Sequence, residues 1–157
     1  MKFRFELVPQ DIAAIRRIVE SSGFFTAQEV EVAIELVEDR LEKKAQSDYQ
    51  FIIAEADGKM RGYSCYGWID YTETSYDLYW IAVDETARGE GLGRKLMQET
   101  EARIKAAGGT RVYAETSGQP KYAPTQAFYE KCGYFNEARV KDFYRPGDDK
   151  LIYTKVL

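Results

Sequence analysis

Histidine is absent from this chain of 157 residues. That absence removes Ser-His and Cys-His nucleophile pairs, imidazole metal sites and a histidine general base, so proton transfer must run through Glu, Asp, Tyr, Lys, Cys or water. Cysteine is scarce: Cys65 and Cys132 stand far apart and outside any C-x-x-C spacing. They suggest neither a disulfide framework nor a zinc cluster, no metal is expected, and a reducing cytoplasm is the default compartment. Long apolar runs are missing as well. The N-terminal MKFRFELVPQ breaks its apolar residues with charges, has no continuous apolar leader region, and no stretch reaches the length of a membrane span. The expectation is a chain that neither enters the membrane nor leaves the cell. A basic excess is lacking too: 22 Lys and Arg against 26 Asp and Glu leave a net charge of -4, which argues against a nucleic-acid surface.

What is present is enough chain for one domain, residues 1–157, with a core that needs no staple. No repeat, linker or low-complexity segment divides it. Phe3, Phe5 and Leu7 alternate with charged residues, predicting a half-buried strand that Pro9 ends. Ile12, Ile15, Ile18 and Val19 share one helical stripe, and Val30, Ala33, Ile34, Val37 and Leu41 share a second. Phe24 and Phe25 sit between them. Asp57-Gly58 separates strand-like segments 50–56 and 60–69, a strong hairpin signal. A strand is expected over 76–83, a helix over 91–107 closed by Gly108-Gly109, and a strand over 111–116. A short helix over 123–132, with Pro124 in its first turn, then leads to a closing hairpin of 134–144 and 151–156 around residues 145–149.

The most informative stretch is Leu78 to Met97, LYWIAVDETARGEGLGRKLM. An apolar strand ends in Ile81-Ala82-Val83, and Arg88-Gly89-Glu90-Gly91-Leu92-Gly93-Arg94 runs into an amphipathic helix. Alternate glycines permit positive φ and let the backbone approach a ligand closely. The first N–H groups of the helix and its dipole favour an anion such as a diphosphate, to which Arg88 and Arg94 add full charges. A tight strand-to-helix turn with surface arginines is the plainer reading of the same residues. Neither the dinucleotide pattern G-x-G-x-x-G nor the Walker pattern is present.

Arg88, Gly91 and Gly93 occupy the fixed positions of the Q/R-x-x-G-x-G/A loop of the GNAT N-acetyltransferases, and the chain resembles that superfamily from about Tyr76 onward. A second block, Ala127-Phe128-Tyr129-Glu130-Lys131-Cys132-Gly133-Tyr134, is similar to the family's A-x-x-F/L-Y-x-x-x-G-F/Y signature. The look is nearest to the ribosomal-protein alanine N-acetyltransferases, whose tail Phe143-Tyr144, Pro146 and Asp148-Asp149-Lys150 echo. The resemblance implies the GNAT fold: a mixed, mostly antiparallel sheet of six to seven strands flanked by about four helices.

It also implies acetyl-CoA as cofactor and coenzyme A as product. The diphosphate is expected on the amides of Gly89 to Arg94, with the pantetheine arm beside Ile81-Ala82-Val83. The implied reaction is acetyl transfer to a primary amine, of a small molecule or a peptide N-terminus, by direct attack in a ternary complex. Tyr129, on the signature's tyrosine position, is the candidate proton donor to the departing thiolate; core packing is its plain reading in a chain with 12 tyrosines. Glu115 is the candidate base, with Asp77, Glu73 or water as alternatives, and a solvated charge at a strand end is its plain reading. Phe143, Tyr144, Tyr122, Trp68 and Tyr71 form either an acceptor wall or ordinary sheet packing. The subgroup's cofactor-contacting asparagine has no counterpart in the longer loop Ser117 to Pro124, so its acceptor is not carried over. A non-catalytic acyl-CoA sensor is the alternative function. Exposed edges of the terminal hairpin admit a homodimer, as the superfamily often forms.

Overall fold

The two sequence periods, 2 for strands and 3.6 for helices, resolve in the computed structural model of residues 1–157 into seven strands and four α-helices. In chain order these are β1 (Lys2–Arg4), α1 (Asp11–Ser21), α2 (Ala27–Lys43), β2 (Gln50–Ala56), β3 (Lys59–Trp68), β4 (Ser75–Val83), α3 (Leu92–Ala106), β5 (Arg111–Ser117), α4 (Ala123–Lys131), β6 (Phe135–Arg145) and β7 (Asp148–Val156). The sheet order is β1-β2-β3-β4-β5-β7-β6. All recorded pairings are antiparallel except β4 with β5. This is the mixed, mostly antiparallel sheet with four helices that the resemblance implied. Two compact units make up the chain: Met1–Gly67 with Trp80–Thr100, and Trp68–Tyr79 with Glu101–Leu157. No helix is long and apolar enough to cross a membrane.

In the first unit, β1 stops at Arg4, short of the expected Leu7. The Asp11 carboxylate at the start of α1 explains this: it accepts from Arg4 at 2.8 Å and from the Val8 N–H at 2.8 Å, drawing Phe5 to Pro9 out of the strand. Helix α2 opens with a reciprocal capping box, in which the Thr26 hydroxyl accepts from Glu29 N–H and the Glu29 carboxylate accepts from Thr26 N–H, both at 3.1 Å. Ile15, Ile18 and Val19 of α1 and Val30, Ala33, Ile34 and Val37 of α2 bury against Phe51, Ile53, Tyr63 and Cys65. Asp57 and Gly58, at φ 55° and 70°, make the primed two-residue turn that the sequence signalled. Phe25 meets Trp80 of β4 edge-on at 4.9 Å and packs against the core, so it pins the helix connection.

Helix α3 presents Leu92, Leu96 and Met97 inward, all nearly fully buried. A buried polar contact fixes its height on β3: Thr100 Oγ1 donates to the Leu96 carbonyl at 2.7 Å and lies 2.8 Å from Ser64 Oγ.

In the second unit, β4 pairs in parallel with β5 from Ser75↔Arg111 to Leu78↔Ala114, and β5 pairs with β7 from Arg111↔Val156 to Ser117↔Lys150. Helix α3 ends in a Schellman turn: Gly109 N–H reaches Ile104 O at 2.8 Å and Gly108 N–H reaches Lys105 O at 3.0 Å, with Gly108 at φ 93°. The terminal hairpin is tighter than expected. Its turn is Pro146-Gly147 alone, because Arg145 already pairs with Asp148. Further along, residues 141–144 of β6 stand against Asp149 alone, since Val140 pairs with Lys150. This bulge is held by the Asp149 carboxylate, which accepts from Asp142 N–H at 2.9 Å, and by Asp142, which accepts from Gly147 N–H at 2.8 Å.

Thr100→Val strands the buried Ser64 hydroxyl and is expected to cost about 1–3 kcal/mol, whereas Ser64→Ala combined with Thr100→Val recovers part of that loss. Urea denaturation of both variants tests this, and equal losses in the single and double variants would show that the hydroxyl pair does not fix α3.

Candidate active site

The glycine loop begins where β4 ends, at a carboxylate that is only 2% exposed. Asp84 accepts from the Arg17 guanidinium of α1, from Thr86 N–H at 3.0 Å and from the Thr86 hydroxyl at 2.9 Å, while its own N–H donates to Arg61 O at 2.8 Å. Burial pushes this carboxyl up, but hydrogen bonds from Arg17 and Thr86 more than offset it and hold the group well below the usual carboxylate range. After a short 3-10 turn, Glu85–Ala87, the chain passes through extended Arg88 and then Gly89 and Gly91 at φ 81° and 76°. A Cβ built on either glycine meets nothing within 4 Å, so conformation and open space, not internal crowding, call for glycine here. Gly93 lies inside α3. The first bond of that helix runs from Lys95 N–H to Gly91 O at 3.2 Å, so the N–H groups of Gly91, Leu92, Gly93 and Arg94 precede the ladder. Leu92 anchors the loop in the core, while Arg88, Gly89, Glu90, Gly91 and Arg94 are exposed.

Gly62 of β3 is a site-forming residue that the sequence reading missed. A Cβ there would stand 2.9 Å from Ala82 O, 3.0 Å from a Leu96 methyl and 3.4 Å from Val83 Cα. Its absence lets the Ala82-Val83 end of β4 and the first turns of α3 approach β3. Nothing in the local pattern of β3 marks this glycine, because the crowding comes from residues far away in sequence.

The second unit holds the candidate proton-transfer groups. Tyr129 of α4 is 7% exposed, and its ring packs 5.5 Å from Tyr153 and 5.9 Å from Tyr134. Burial, then the neighbouring Cys132, Tyr144 and Tyr153, push its phenol well above the usual range, so it keeps its proton at neutral pH. Gly133, at φ 89°, closes α4 by a Schellman turn in which Tyr134 N–H reaches Tyr129 O at 2.9 Å and Gly133 N–H reaches Glu130 O at 3.0 Å. Lys155 ties this end down, donating to Cys132 O at 2.8 Å and to Glu101 at 3.0 Å, and Tyr134 donates to Glu101 at 2.9 Å.

Glu115 is exposed on β5 and pairs with Lys150 of β7 at 3.2 Å. Asp77 of β4 is partly buried, and burial, with the Glu115 charge adding and Lys150 opposing, raises its carboxyl to about 6. Val112, Ala114 and Thr116 are buried while Glu115 is not, and Tyr153, the ring against Tyr129, pairs with Ala114. Strand alternation therefore puts Tyr129 on one face of β5–β7 and Glu115 on the other. The structure brings Glu115 and Asp77 together and leaves Tyr129 across the sheet from them.

Comparison with known proteins now bears on this arrangement. The acetyltransferase (GNAT) family profile matches residues 13–134. The chain belongs to the GNAT acetyltransferase family. A crystal structure of a protein assigned to the GNAT family, from Desulfovibrio desulfuricans, is 49% identical, with TM-score 0.97 over 99% of this chain and 98% of that one. A ribosomal-protein-alanine N-acetyltransferase from Brucella melitensis shares the fold at 21% identity, with TM-score 0.76 and full coverage, 100% of each chain. A further fold match is a Salmonella typhimurium protein solved with its cofactor acetyl-CoA, at 20% identity and TM-score 0.75 over 100% of this chain and 94% of that one. No curated protein sequence matches.

Within this GNAT chain the second signature rests on Phe128-Tyr129 and Gly133-Tyr134, because Thr125 stands three residues before Phe128, where the pattern has alanine. The loop from Ser117 is held by its own contacts: Ser117 Oγ donates to Asp148 at 2.5 Å, and Gln126 donates to Ser117 O at 2.9 Å. Among the aromatics, Phe143 and Tyr144 meet edge-on at 5.1 Å. Trp68 and Tyr71 are exposed at the β3–β4 connection, as is Glu73, while Tyr122 is partly buried ahead of α4.

Asp84, with its carboxyl depressed in the folded state, adds stability that is fully present above the unfolded carboxylate pKa near ~4 and is lost as pH falls through the lower folded value. The stability gap between the wild type and Asp84→Asn is thus expected to be constant from pH 7 to about 5 and to shrink below about 4. Denaturant titrations at pH 7, 5, 4 and 3 measure it; a gap that persists undiminished at pH 3 contradicts the role assigned to the Arg17 and Thr86 contacts.

Proposed function

We propose that this GNAT acetyltransferase transfers an acetyl group from acetyl-CoA to a primary amine, of a small molecule or a peptide N-terminus, by direct attack in a ternary complex. One observation carries the cofactor reading: positive φ at Gly89 and Gly91, with open space on their Cβ side, immediately before the unladdered N–H groups of α3. Residues of this kind fit a diphosphate, since backbone donors and the helix dipole meet an anion without steric obstruction. Gly89 to Arg94 would hold the diphosphate with Arg88 and Arg94, and the backbone of Ile81, Ala82 and Val83 would line the pantetheine arm. Acetyl-CoA supplies an activated acyl thioester.

The residues of the chain supply the proton management. An alkylammonium must lose a proton before its nitrogen can attack, and the Asp77–Glu115 carboxylates are the acceptors. The thiolate that leaves needs a proton, for which Tyr129 is the proposed donor, with burial opposing the transfer by raising its phenol. A backbone N–H near the end of β4 would stabilise the developing oxyanion, which is worth several kcal/mol in such sites.

The Brucella relative's name supports an amine acceptor, and the Salmonella relative's bound acetyl-CoA supports the cofactor. Two buried free cysteines accord with the cytoplasm as the proposed compartment. Strand β6 is exposed along its whole length, which supports the terminal hairpin as the edge through which a homodimer would form.

Thermal midpoints with acetyl-CoA, free CoA and ADP, together with thiol release across an amine panel, test the reading. Stabilisation by acetyl-CoA well beyond ADP with thiol release supports it; binding without release across the panel favours an acyl-CoA sensor, and no stabilisation by any CoA species overturns the loop assignment. Tyr129→Phe is expected to keep the acetyl-CoA stabilisation while lowering kcat by about 100-fold or more. Unchanged turnover in that variant would remove Tyr129 from the mechanism.

A further inference from the structure

We propose that Asp148 is a positioning residue for the reaction: through Ser117 it fixes the loop between β5 and α4, and with it the helix that carries Tyr129. The inference rests on the transferase reading above and on Tyr129 as its proton donor. Helix α4 cannot hold its own place. It has 9 residues, short of the length at which an isolated helix is stable, and no side chain caps its N-terminus. Contacts from outside must therefore set where Tyr129 stands. At the C-terminal end Lys155 donates to Cys132 O at 2.8 Å. Towards the N-terminal end Gln126 Nε2 donates to Ser117 O at 2.9 Å, and Tyr129 lies one turn further along, on the same side of the helix as Gln126.

Ser117 is in turn held by a carboxylate. Asp148 opens β7 directly after the Pro146-Gly147 turn, Ser117 ends β5, and both are buried. The Ser117 hydroxyl donates to Asp148 Oδ1 at 2.5 Å and accepts from Gln119 N–H at 3.1 Å, so one buried hydroxyl joins the terminal hairpin to the start of the loop. The other carboxylate oxygen, Asp148 Oδ2, lies 3.4 Å from Arg145 Nε. A backbone bond runs beside this contact, from Gly118 N–H to Asp149 O at 2.9 Å. Arg139 lies against that bond: it donates to the Asp149 carboxylate at 2.5 Å, and a Cβ built on Gly118 would stand 3.1 Å from its Nη1. Two side-chain hydrogen bonds, Ser117 to Asp148 and Gln126 to Ser117, thus lead from the hairpin to the helix. Removing the Asp148 carboxylate leaves the buried Ser117 hydroxyl without its acceptor, which favours a loop that has turned to find another. Such a shift passes through Gln126 to Tyr129, and misplacing a reacting group by about 1 Å can cost about 100-fold in rate.

Asp148→Ala is expected to lower kcat by about 10-fold or more, while KM for acetyl-CoA stays within about twofold of the wild type and the thermal stabilisation by acetyl-CoA is kept. Asp148→Asn retains an oxygen that accepts from Ser117 and should restore most of the loss. Gln126→Ala cuts the path at a partly exposed helix position; it should reproduce the loss, and it carries the test even where the buried substitution unfolds the protein. A role exerted through Tyr129 has a further signature. In a Tyr129→Phe background neither Asp148→Ala nor Gln126→Ala should lower kcat again, whereas a clamp that only supports the fold lowers it by the same factor in both backgrounds. In the resting protein, without cofactor or acceptor, amide exchange within α4 should be faster in Gln126→Ala than in the wild type. Turnover of no amine by the wild type sinks the transferase reading and the part assigned to Asp148 with it. In a working transferase, a kcat unmoved by Gln126→Ala, or lowered equally with and without the Tyr129 hydroxyl, overturns the Asp148 assignment alone.

Discussion

The Asp84 carboxylate, buried at the end of β4 and clasped by Arg17, is the fixed point from which the glycine loop hangs. A buried charge is tolerable only when paired and hydrogen-bonded, and removing one partner leaves a costly orphan. The turn after β4 therefore has one good arrangement: Arg17 and both donors of Thr86 on Asp84, with the Asp84 N–H on Arg61 O. That arrangement fixes where Arg88 begins and how Gly89 and Gly91 face solvent. A second constraint acts alongside it. Gly62 leaves room for Ala82 O and the Leu96 methyl, and the Ser64–Thr100 contact sets the depth of α3.

Local chemistry made much of this visible in the sequence. Asp57-Gly58 encodes its primed turn, Gly108-Gly109 its helix stop, and Arg88 to Arg94 the loop, because in each case positive φ or a free N–H is a property of a few adjacent residues. The strand at the N-terminus was overextended for the opposite reason: alternation to Leu7 is a local signal, and the Arg4–Asp11 and Val8–Asp11 bonds that override it join separate elements. Gly62, the β6 bulge and the Ser117–Asp148 contact were likewise hidden, since each depends on strand register. Glu115 and Asp77 were recognisable as carboxylates, but only burial and Lys150 tell them apart.

A chain without histidine must draw its acids and bases from groups whose ordinary pKa values lie far from neutrality. Environment then does the tuning: burial and a nearby carboxylate raise Asp77 to about 6, whereas Arg17 and Thr86 hold Asp84 far lower. Two aspartates in one fold are thus separated into a group that can exchange protons and a group that stays charged. Tyr129 sits among rings that keep its phenol neutral, and the Schellman turn at Gly133 determines how the helix carrying it ends.

The central claim is that the loop from Arg88 to Arg94 and the end of β4 receive acetyl-CoA. Amide hydrogen–deuterium exchange of the protein with and without saturating acetyl-CoA tests it most directly. The expected result is slowed exchange concentrated in residues 81–83 and 89–94, with ADP giving a weaker effect confined to the loop. Stabilisation by acetyl-CoA with unchanged exchange at residues 89–94, or protection centred elsewhere in the chain, would contradict it.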